Sequence, residues 1–407
     1  MFNAYLCIED RAKKAVRICL YGDVFVDKQY ISMIERFQKR KIKETIGKGK
    51  AIMIMGARQV GKSTLLSEMF GGQKEVMWMN GDDADVRQLF SGMTSTRIRA
   101  LLGGCRCLVI DEAQRIPDIG LRLKLITDQV PDVQVVATGS SSFELAARVG
   151  ESLTGRKRTF RMFPLTYGEM VAHTNLLEEH RMLPHRMVYG YYPEVVTSQG
   201  DERAVLRELT DSYLYKDILM LDSISKPDRL IRLVQALAHQ IGELVSYNEV
   251  GQLVGLDPKT VERYVDVLEK CYIVFRVGSF SRNLRNELKM SRKIYFWDLG
   301  IRNAVIANFQ QVENRADTGA LWENFAISER MKCHYMREDF VNTWFWRTQQ
   351  QKEIDLIEEA DGRLNAFEFK WNSVKAQRTK VPDSFARTYP DAVFTVVSPD
   401  DIDDFLL

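Results

Sequence analysis

The 407-residue chain contains few cysteines and histidines, and neither type is grouped. Zinc knuckles and disulfide scaffolds need clustered ligands or paired thiols, so we predict neither, and a reducing cytosol is the expected compartment. The five histidines lack metal-ligand spacing as well. The six cysteines, none of them in a Cys-x-x-Cys pair, are Cys7, Cys19, Cys105, Cys107, Cys271 and Cys333.

Long apolar runs and a strong net charge are also missing. Residues 15–26 come nearest to a signal core, but Arg17 and Asp23 interrupt them, and no stretch reaches the ~18 apolar residues of a membrane span. We therefore expect a cytoplasmic protein with no membrane partner. The formal net charge is only +2, so affinity for nucleic acid would have to come from local basic patches.

Ample apolar sequence is present instead. Hydrophobic residues make up 45% of the chain, which is enough for conventional cores. The length suggests about two to four domains at ~100–200 residues each. A globular protein of several domains is the expectation.

The strongest local pattern is an apolar strand that runs into Gly56-x-x-x-x-Gly61-Lys62-Ser63, the Walker A or P-loop pattern. Its glycines let successive backbone N–H groups face one anion, and the helix that follows adds its positive end. Lys62 would reach the β- and γ-phosphates, and the Ser63 hydroxyl would bind Mg²⁺. The pattern predicts ATP and Mg²⁺ at the residues Gly56, Ala57, Arg58, Gln59, Val60, Gly61, Lys62, Ser63 and Thr64.

A second apolar strand, residues 107–110, ends abruptly in Asp111 and Glu112. Asp111 would hold Mg²⁺ directly or through water, and Glu112 would polarise a water for attack on the γ-phosphorus. The pair could instead cap a helix and form its acidic first turn. The P-loop upstream favours hydrolysis.

Two further residues are candidates for the reaction. Ser140, after the strand 133–137, could hydrogen-bond the γ-phosphate or the attacking water, although the serines there could equally cap a helix over residues 143–149. Arg156 could act as an arginine finger in cis or in a neighbouring subunit, or could lie in a solvated basic turn.

The segments GARQVGKSTLL, LVIDEAQ, ATGSSSFEL and SLTGRKRTFRMFPLTYGEM together resemble the AAA-type ATPase domain of a widespread prokaryotic family. That family usually joins the ATPase to a C-terminal domain with a restriction-endonuclease-like fold, largely of unknown function. The resemblance covers roughly residue 31 to the C-terminus and implies nothing for the first thirty residues. A second sensor arginine is not evident, which leaves intersubunit catalysis, and with it a homo-oligomer, open.

Residues 227–297 have the element order of a winged helix. A helix from Pro227, a helix over 246–253, a turn capped by Asp257 and a helix over 259–269 precede two strands and a basic hairpin. The predicted DNA contacts are Lys259, Arg263, Arg282 and Arg285. The same unit could instead pack on the ATPase as a lid or subunit contact. A basic helix over residues 31–50 is a second, weaker patch.

The last hundred residues carry the pattern of PD-(D/E)xK nucleases. Asp355 precedes Glu368-x-Lys370, and Glu323 on a helix resembles the ancillary acid of those folds. Alternation along a strand puts Glu368 and Lys370 on one face, where the two strand acids could bind Mg²⁺ and the lysine could stabilise negative charge. A cross-face ion pair in an inactive binding module is the structural alternative.

We therefore predict an α/β protein: an AAA-type P-loop NTPase with a parallel sheet, a winged helix and a restriction-endonuclease-like α/β domain. The expected division is an N-terminal extension (1–30), the ATPase (31–172), a helical connector (173–226), the winged helix (227–308) and the nuclease-like domain (309–407). The expected function is an ATPase that couples its nucleotide state to the distal modules and acts on DNA. The alternative is a signalling or scaffold ATPase whose C-terminal domain is an inactive protein-binding module.

Overall fold

The computed structural model describes residues 33–139, 153–212, 224, 226–281 and 292–407. Ser140, Arg282 and Arg285, and the helix predicted over residues 143–149, lie outside these ranges. Contacts divide the chain into residues 1–33 and residues 34–407, and the elements below belong to the second unit.

Helices and strands alternate in the first third of the chain and again near its end. The strands are β1 Ala51–Gly56, β2 Val76–Asn80, β3 Cys107–Asp111, β4 Gln134–Gly139, β5 Lys157–Met162, β6 Leu244–Val245, β7 Val274–Ser279, β8 Arg292–Phe296, β9 Asn342–Arg347, β10 Glu353–Ala360, β11 Arg363–Phe369 and β12 Val393–Val397. The α-helices of the described ranges are α1 Gln38–Thr45, α2 Lys62–Phe70, α3 Ala84–Ser91, α4 Ser95–Leu101, α5 Ile119–Gln129, α6 Tyr167–His173, α7 Leu176–Tyr189, α8 Pro193–Thr197, α9 Glu202–Leu209, α10 Pro227–His239, α11 Tyr247–Val254, α12 Pro258–Lys270, α13 Leu299–Val305, α14 Thr318–Arg337, α15 Ser373–Arg378, α16 Asp383–Thr388 and α17 Ile402–Leu406.

The first sheet is parallel throughout, in the order β2-β3-β4-β1-β5. All six residues of β1 are buried, and the first four of β3 are buried as well. Such continuous apolar strands belong to sheets that are covered on both faces. The predicted α/β fold with a parallel P-loop sheet is confirmed, and the carboxyl ends of β1, β3 and β4 meet at one edge.

The basic helix expected over residues 31–50 is shorter than predicted. Only α1 is helical, and residues 33–36 precede it without regular structure. Arg36 and the backbone N–H of Phe37 are both bonded to the carboxylate of Glu169, which fixes the chain before the helix can begin. Gly47 and Gly49, both with positive φ, follow its end.

The second sheet is mixed, in the order β12-β11-β10-β9-β7-β8-β6. Strands β7 and β8 pair antiparallel, and β7 also pairs in parallel with β9, where Gly278 lies opposite Trp344. The units expected at 227–308 and 309–407 thus contribute strands to one sheet. A single cluster of buried apolar side chains runs from Ile42 to Leu406 and joins this sheet to the first.

Candidate functional site

The P-loop connects β1 to α2 around a cavity of about 550 Å³. Gly61, with φ +91°, sits at the N-cap of α2 in a backbone conformation that other residues rarely adopt. Ala57 and Val60, which belong to the loop, are fully buried. The side chains and backbone that line the cavity belong to Arg58, Gln59, Gly61, Lys62, Ser63, Thr64, Asp82, Glu112, Pro193, Glu194 and Ser212.

Lys62 is folded back against its own loop. Its ammonium group donates to the carbonyl oxygens of Gly56 and Ala57, at 3.1 and 2.6 Å. Burial lowers the pKa of Lys62 to about 8, against the opposing effect of the nearby Glu112 and Asp111 carboxylates. A buried ammonium that holds only carbonyls is ready to exchange them for phosphate oxygens.

Asp111, at the end of β3, faces the P-loop serine. The Ser63 hydroxyl donates to Asp111 Oδ2 at 2.6 Å. The other carboxylate oxygen accepts from the buried Thr138 hydroxyl at the end of β4. A hydroxyl and a carboxylate in contact are the oxygen ligands that Mg²⁺ takes beside a phosphate. These residues fit the ion.

Larger metal-binding clusters are absent from the described residues. Within the described ranges, no group of three or more His, Cys, Asp or Glu side chains could hold a metal ion. A P-loop Mg²⁺ draws most of its ligands from phosphates and water, so Ser63 and Asp111 suffice. When bound, the ion would offset the charge that develops on the phosphate oxygens.

Glu112 adopts a left-handed backbone conformation, with φ 49°. Its N–H donates to the Thr138 hydroxyl at 3.0 Å and to Asp111 Oδ1 at 3.1 Å. Gly81 lies so close that a Cβ there would overlap the Glu112 carbonyl oxygen. Strained backbone of this kind persists where surrounding contacts fix it, and here it places the Glu112 side chain in the cavity wall.

The four residues of the predicted nuclease site also come together. Glu323 lies on α14, Asp355 on β10 and Glu368 on β11, and Lys370 follows β11 and bonds Glu368 Oε1 at 2.6 Å. A fifth residue, Lys293 on β8, bonds Glu323 Oε1 at 2.8 Å and lies 3.8 Å from Asp355 Oδ1. By sequence Lys293 belongs to the basic hairpin region, and nothing in its local pattern indicates this long-range contact.

Comparison with known proteins gives a family match for the first domain. Residues 48–171 match a family model described as an AAA domain. This chain carries an AAA-type P-loop ATPase domain. Residues 180–312 match the domain of unknown function DUF8612, and residues 318–404 match the domain of unknown function DUF4143.

Curated relatives are uncharacterized. A protein of Mycobacterium tuberculosis is 26% identical over 340 residues, which are 82% of this chain and 73% of the relative. A protein of Methanocaldococcus jannaschii is 20% identical over 360 residues, 83% of this chain and 78% of the relative. They leave the activity open.

Similar solved structures are more distant. A Signal Transduction ATPase with Numerous Domains protein with a tetratricopeptide repeat sensor, from Pyrococcus horikoshii, is 11% identical with a TM-score of 0.30. The match covers 74% of this chain and 45%, less than half, of that chain. Unliganded Pif1 from Bacteroides sp. is 17% identical with a TM-score of 0.23, over 46% of this chain and 52% of that chain. Scores this low add nothing to the AAA assignment.

The nucleotide cavity of the AAA domain has a wall that sequence reasoning missed. Pro193 and Glu194, at the start of α8, and Ser212, beyond α9, line it from the helical connector. Just before them, the backbone N–H of Tyr191 donates to Asp298 Oδ2 at 2.7 Å, and Asp298 caps α13. The Tyr-Tyr-Pro-Glu motif at residues 191–194 stands out in the sequence, but its bonding partner Asp298 lies more than a hundred residues away.

Arg156 lies away from the P-loop in this conformation. Arg156 immediately precedes β5, and its carbonyl oxygen accepts from the N–H of Ala51, the first residue of β1. Because β1 and β5 are parallel, Arg156 lies at the amino ends of the strands, whereas the P-loop follows the carboxyl end. Its guanidinium bonds Asp128 at 2.6 Å. A role in a neighbouring subunit stays a prediction.

Arg36 supports the P-loop from behind, a role the sequence did not reveal. The buried guanidinium donates to the Val60 carbonyl at 2.7 Å, to the Phe163 carbonyl at 2.7 Å and to Glu169 Oε1 at 3.0 Å. Glu169 belongs to the capping box of α6. Arg36 therefore ties the P-loop to the segment that leads out of the AAA domain.

The described basic residues of the predicted winged helix have different surroundings. Lys259 and Arg263 are exposed on α12, whose N-cap is Asp257, as expected. Arg276 is paired with Asp266 and Glu269, and Arg292 is paired with Glu262 at 3.3 Å. Lys293 is buried and pairs with Glu323 and Glu353. The described cations of the hairpin, Arg276, Arg292 and Lys293, are therefore all paired with acidic residues of the same chain.

Among the described residues, no helix combines the length and the apolar character needed to cross a membrane.

Proposed function

We propose that this protein is a Mg²⁺-dependent ATPase whose nucleotide state is transmitted to its C-terminal modules. The observation that carries the proposal is the hydrogen bond between Ser63 and Asp111, with Glu112 in the wall of the same cavity. These are the hydroxyl, the metal-binding acid and the base that phosphoryl transfer to water requires.

The residues divide the work by position. Lys62 and the N–H groups at the start of α2 bind phosphate oxygens, because the helix end and the ammonium are both positive. Glu112 orients and deprotonates the attacking water. Ser140 remains our candidate for sensing the γ-phosphate, and Arg156 of a neighbouring subunit remains a candidate finger in a homo-oligomer.

Contacts from the connector support transmission of the nucleotide state. Tyr191 is anchored on Asp298, and its hydroxyl donates to Glu179 Oε1 at 2.9 Å. On the other side, the N–H of Tyr167 donates to Glu329 Oε2 at 2.8 Å. Glu329 lies on α14, the helix that also carries Glu323. The Tyr191 ring also packs on Phe325 of α14, with centroids 6.0 Å apart, so a shift at Pro193 and Glu194 would reach α14 through this contact.

Two variants test hydrolysis. We expect Lys62→Ala to abolish nucleotide binding, because it removes the cation on the phosphates. We expect Glu112→Gln to bind ATP as wild type does but to lower kcat by about a hundredfold or more. Binding is measured with a fluorescent ATP analogue and turnover by phosphate release. Equal turnover in wild type and Glu112→Gln would remove Glu112 from the mechanism.

We also propose the domain division of the sequence, with a winged helix over 227–308 that contacts DNA through Lys259 and Arg263. Both side chains are exposed on α12 and lie outside the ion pairs of the hairpin. The competing function is a scaffold ATPase whose distal domain binds protein, and the neutralised cations of the hairpin favour it.

Salt dependence separates the two functions. If α12 contacts phosphates, Lys259→Glu with Arg263→Glu should weaken duplex DNA binding and reduce the slope of log affinity against log salt by about two. Arg232→Glu, an exposed cation on α10, is the matched control and should leave the slope unchanged. An unaltered slope in the double variant would count against DNA contact by this helix.

A further inference from the structure

Lys293 reaches into the centre of the acidic cluster of the C-terminal module. The residue is 1% exposed, and its ammonium group bonds Glu323 Oε1 at 2.8 Å. It also forms an ion pair with Glu353 and lies 3.8 Å from Asp355 Oδ1. One ammonium group from β8 thus contacts carboxylates of α14 and β10 together.

Several carboxylate oxygens of the cluster have further donors from within the chain. Asp355 Oδ2 accepts from the backbone N–H of Phe369 at 2.9 Å, and Glu323 Oε1 accepts from the Tyr295 hydroxyl at 2.6 Å. Glu353 Oε2 pairs with Arg347 at 2.9 Å. Both oxygens of Glu353 are thus paired, whereas Glu368 Oε2 is buried without a hydrogen-bond partner.

The charges within the cluster nearly balance. Its described carboxylates are Glu323, Glu353, Asp355 and Glu368, and its cations are Lys293, Arg347 and Lys370. One excess negative charge remains.

A divalent ion does not fit this arrangement. Mg²⁺ needs oxygen ligands at about 2.0–2.1 Å in octahedral geometry, and the ammonium group already lies among the oxygens that would supply them. Entry of the ion would require Lys293 to leave or lose its proton. Lys293 is 1% exposed and bonded to Glu323 and Glu353, so its departure would leave both carboxylates without this cation.

We propose that Lys293 is a built-in cation that takes the place of a divalent metal, so that this cluster does not cut nucleic acid. The inference is independent of the ATPase proposal, because it concerns a different set of residues. Lys370 is bonded to Glu368 and supports the cluster as a second internal cation.

Manganese binding by the full-length, nucleotide-free protein tests the proposal. We expect wild type and Asp355→Asn to bind the same number of Mn²⁺ ions by calorimetry and electron paramagnetic resonance, since any ion held at Ser63 and Asp111 is common to both. Neither protein should cleave plasmid or single-stranded DNA with Mg²⁺ or Mn²⁺. A Mn²⁺ site, or a cleavage activity, that is present in wild type and lost in Asp355→Asn would overturn the inference.

Removing the lysine gives the converse result. A folded Lys293→Met variant should gain one Mn²⁺ site, and adding Asp355→Asn should remove it again. The control Lys370→Met deletes a cation that is paired at the rim and should gain no site. A folded Lys293→Met that binds no more Mn²⁺ than wild type would contradict the assignment. If Lys293→Met does not fold, the comparison of wild type with Asp355→Asn decides alone.

Discussion

At the scale of single residues, the nucleotide site could be predicted because its signals are local. Lys62 and Ser63 follow a glycine loop, and Asp111 ends an apolar strand. Residues whose roles depend on distant partners could not be found this way. Arg36 bonds a carbonyl 24 positions away, and Lys293 bonds a carboxylate 30 positions away. Periodicity and spacing carry no information about such contacts.

Lys62 should make ATP affinity dependent on pH. Its pKa in the free protein is lowered to about 8, so the group is charged at pH 7 and neutral well above pH 8. Phosphate binding needs the charged form. Affinity for a fluorescent ATP analogue should therefore be highest below pH 8 and fall by up to about tenfold per unit above it. Lys62→Arg, which stays charged, is the control and should lack this step. A flat profile for wild type from pH 7 to 9.5 would contradict the assignment.

At the scale of elements, strand and helix positions were largely predictable, and register was not. The alternation of residues 342–347 predicts a strand, and β9 lies at those residues. The helix expected over 31–50 is reduced to α1, because Arg36 and the N–H of Phe37 bond Glu169 before the helix begins. The pairing of β9 with β10 shifts register between Ile354 and Ile357, next to Asp355, and an irregularity of this kind has no signature in the alternation.

Gly81 should be needed for the approach of β2 to the end of β3. A Cβ at this position would overlap the carbonyl oxygen of Glu112 and force the strained backbone there to move. We expect Gly81→Ala to lower kcat by about ten- to a hundredfold while nucleotide affinity stays within a factor of about three.

Phosphate release and fluorescent-nucleotide binding measure the two quantities for Gly81→Ala. Gly319→Ala is the matched control, because a Cβ at Gly319 meets nothing within 4 Å. Full turnover by Gly81→Ala would show that the approach does not position Glu112.

At the scale of the whole molecule, the parallel P-loop sheet followed from the motifs, but the way the parts join did not. The sequence suggested separate units at 227–308 and 309–407. The structure gives them a common sheet through β7 and β9 and a core continuous with the AAA domain. Pairings between strands that are distant in sequence depend on tertiary packing, which one sequence does not reveal.

Arg36 should stabilise the junction between the AAA domain and the rest of the chain. Its guanidinium is buried and each of its nitrogens has an acceptor, so Arg36→Met leaves the buried Glu169 carboxylate without its cation. We expect the free energy of unfolding to fall by about 3–5 kcal/mol and ATP affinity to weaken with it.

Urea unfolding followed by circular dichroism measures the change for Arg36→Met. Arg40→Met removes a surface pair with Glu44 and should change stability by less than about 1 kcal/mol. Similar effects of the two variants would mean that the buried network does not hold the P-loop.

The parallel contact between β7 and β9 has a practical consequence. A fragment that starts after Asn308 would expose the bare flank of β9, and one that stops there would expose β7, each with amide and carbonyl groups that had been paired. Such fragments should self-associate through those flanks and precipitate. A recombined gene would have to encode both segments, the one with β7 and the one with β9, to yield folded protein.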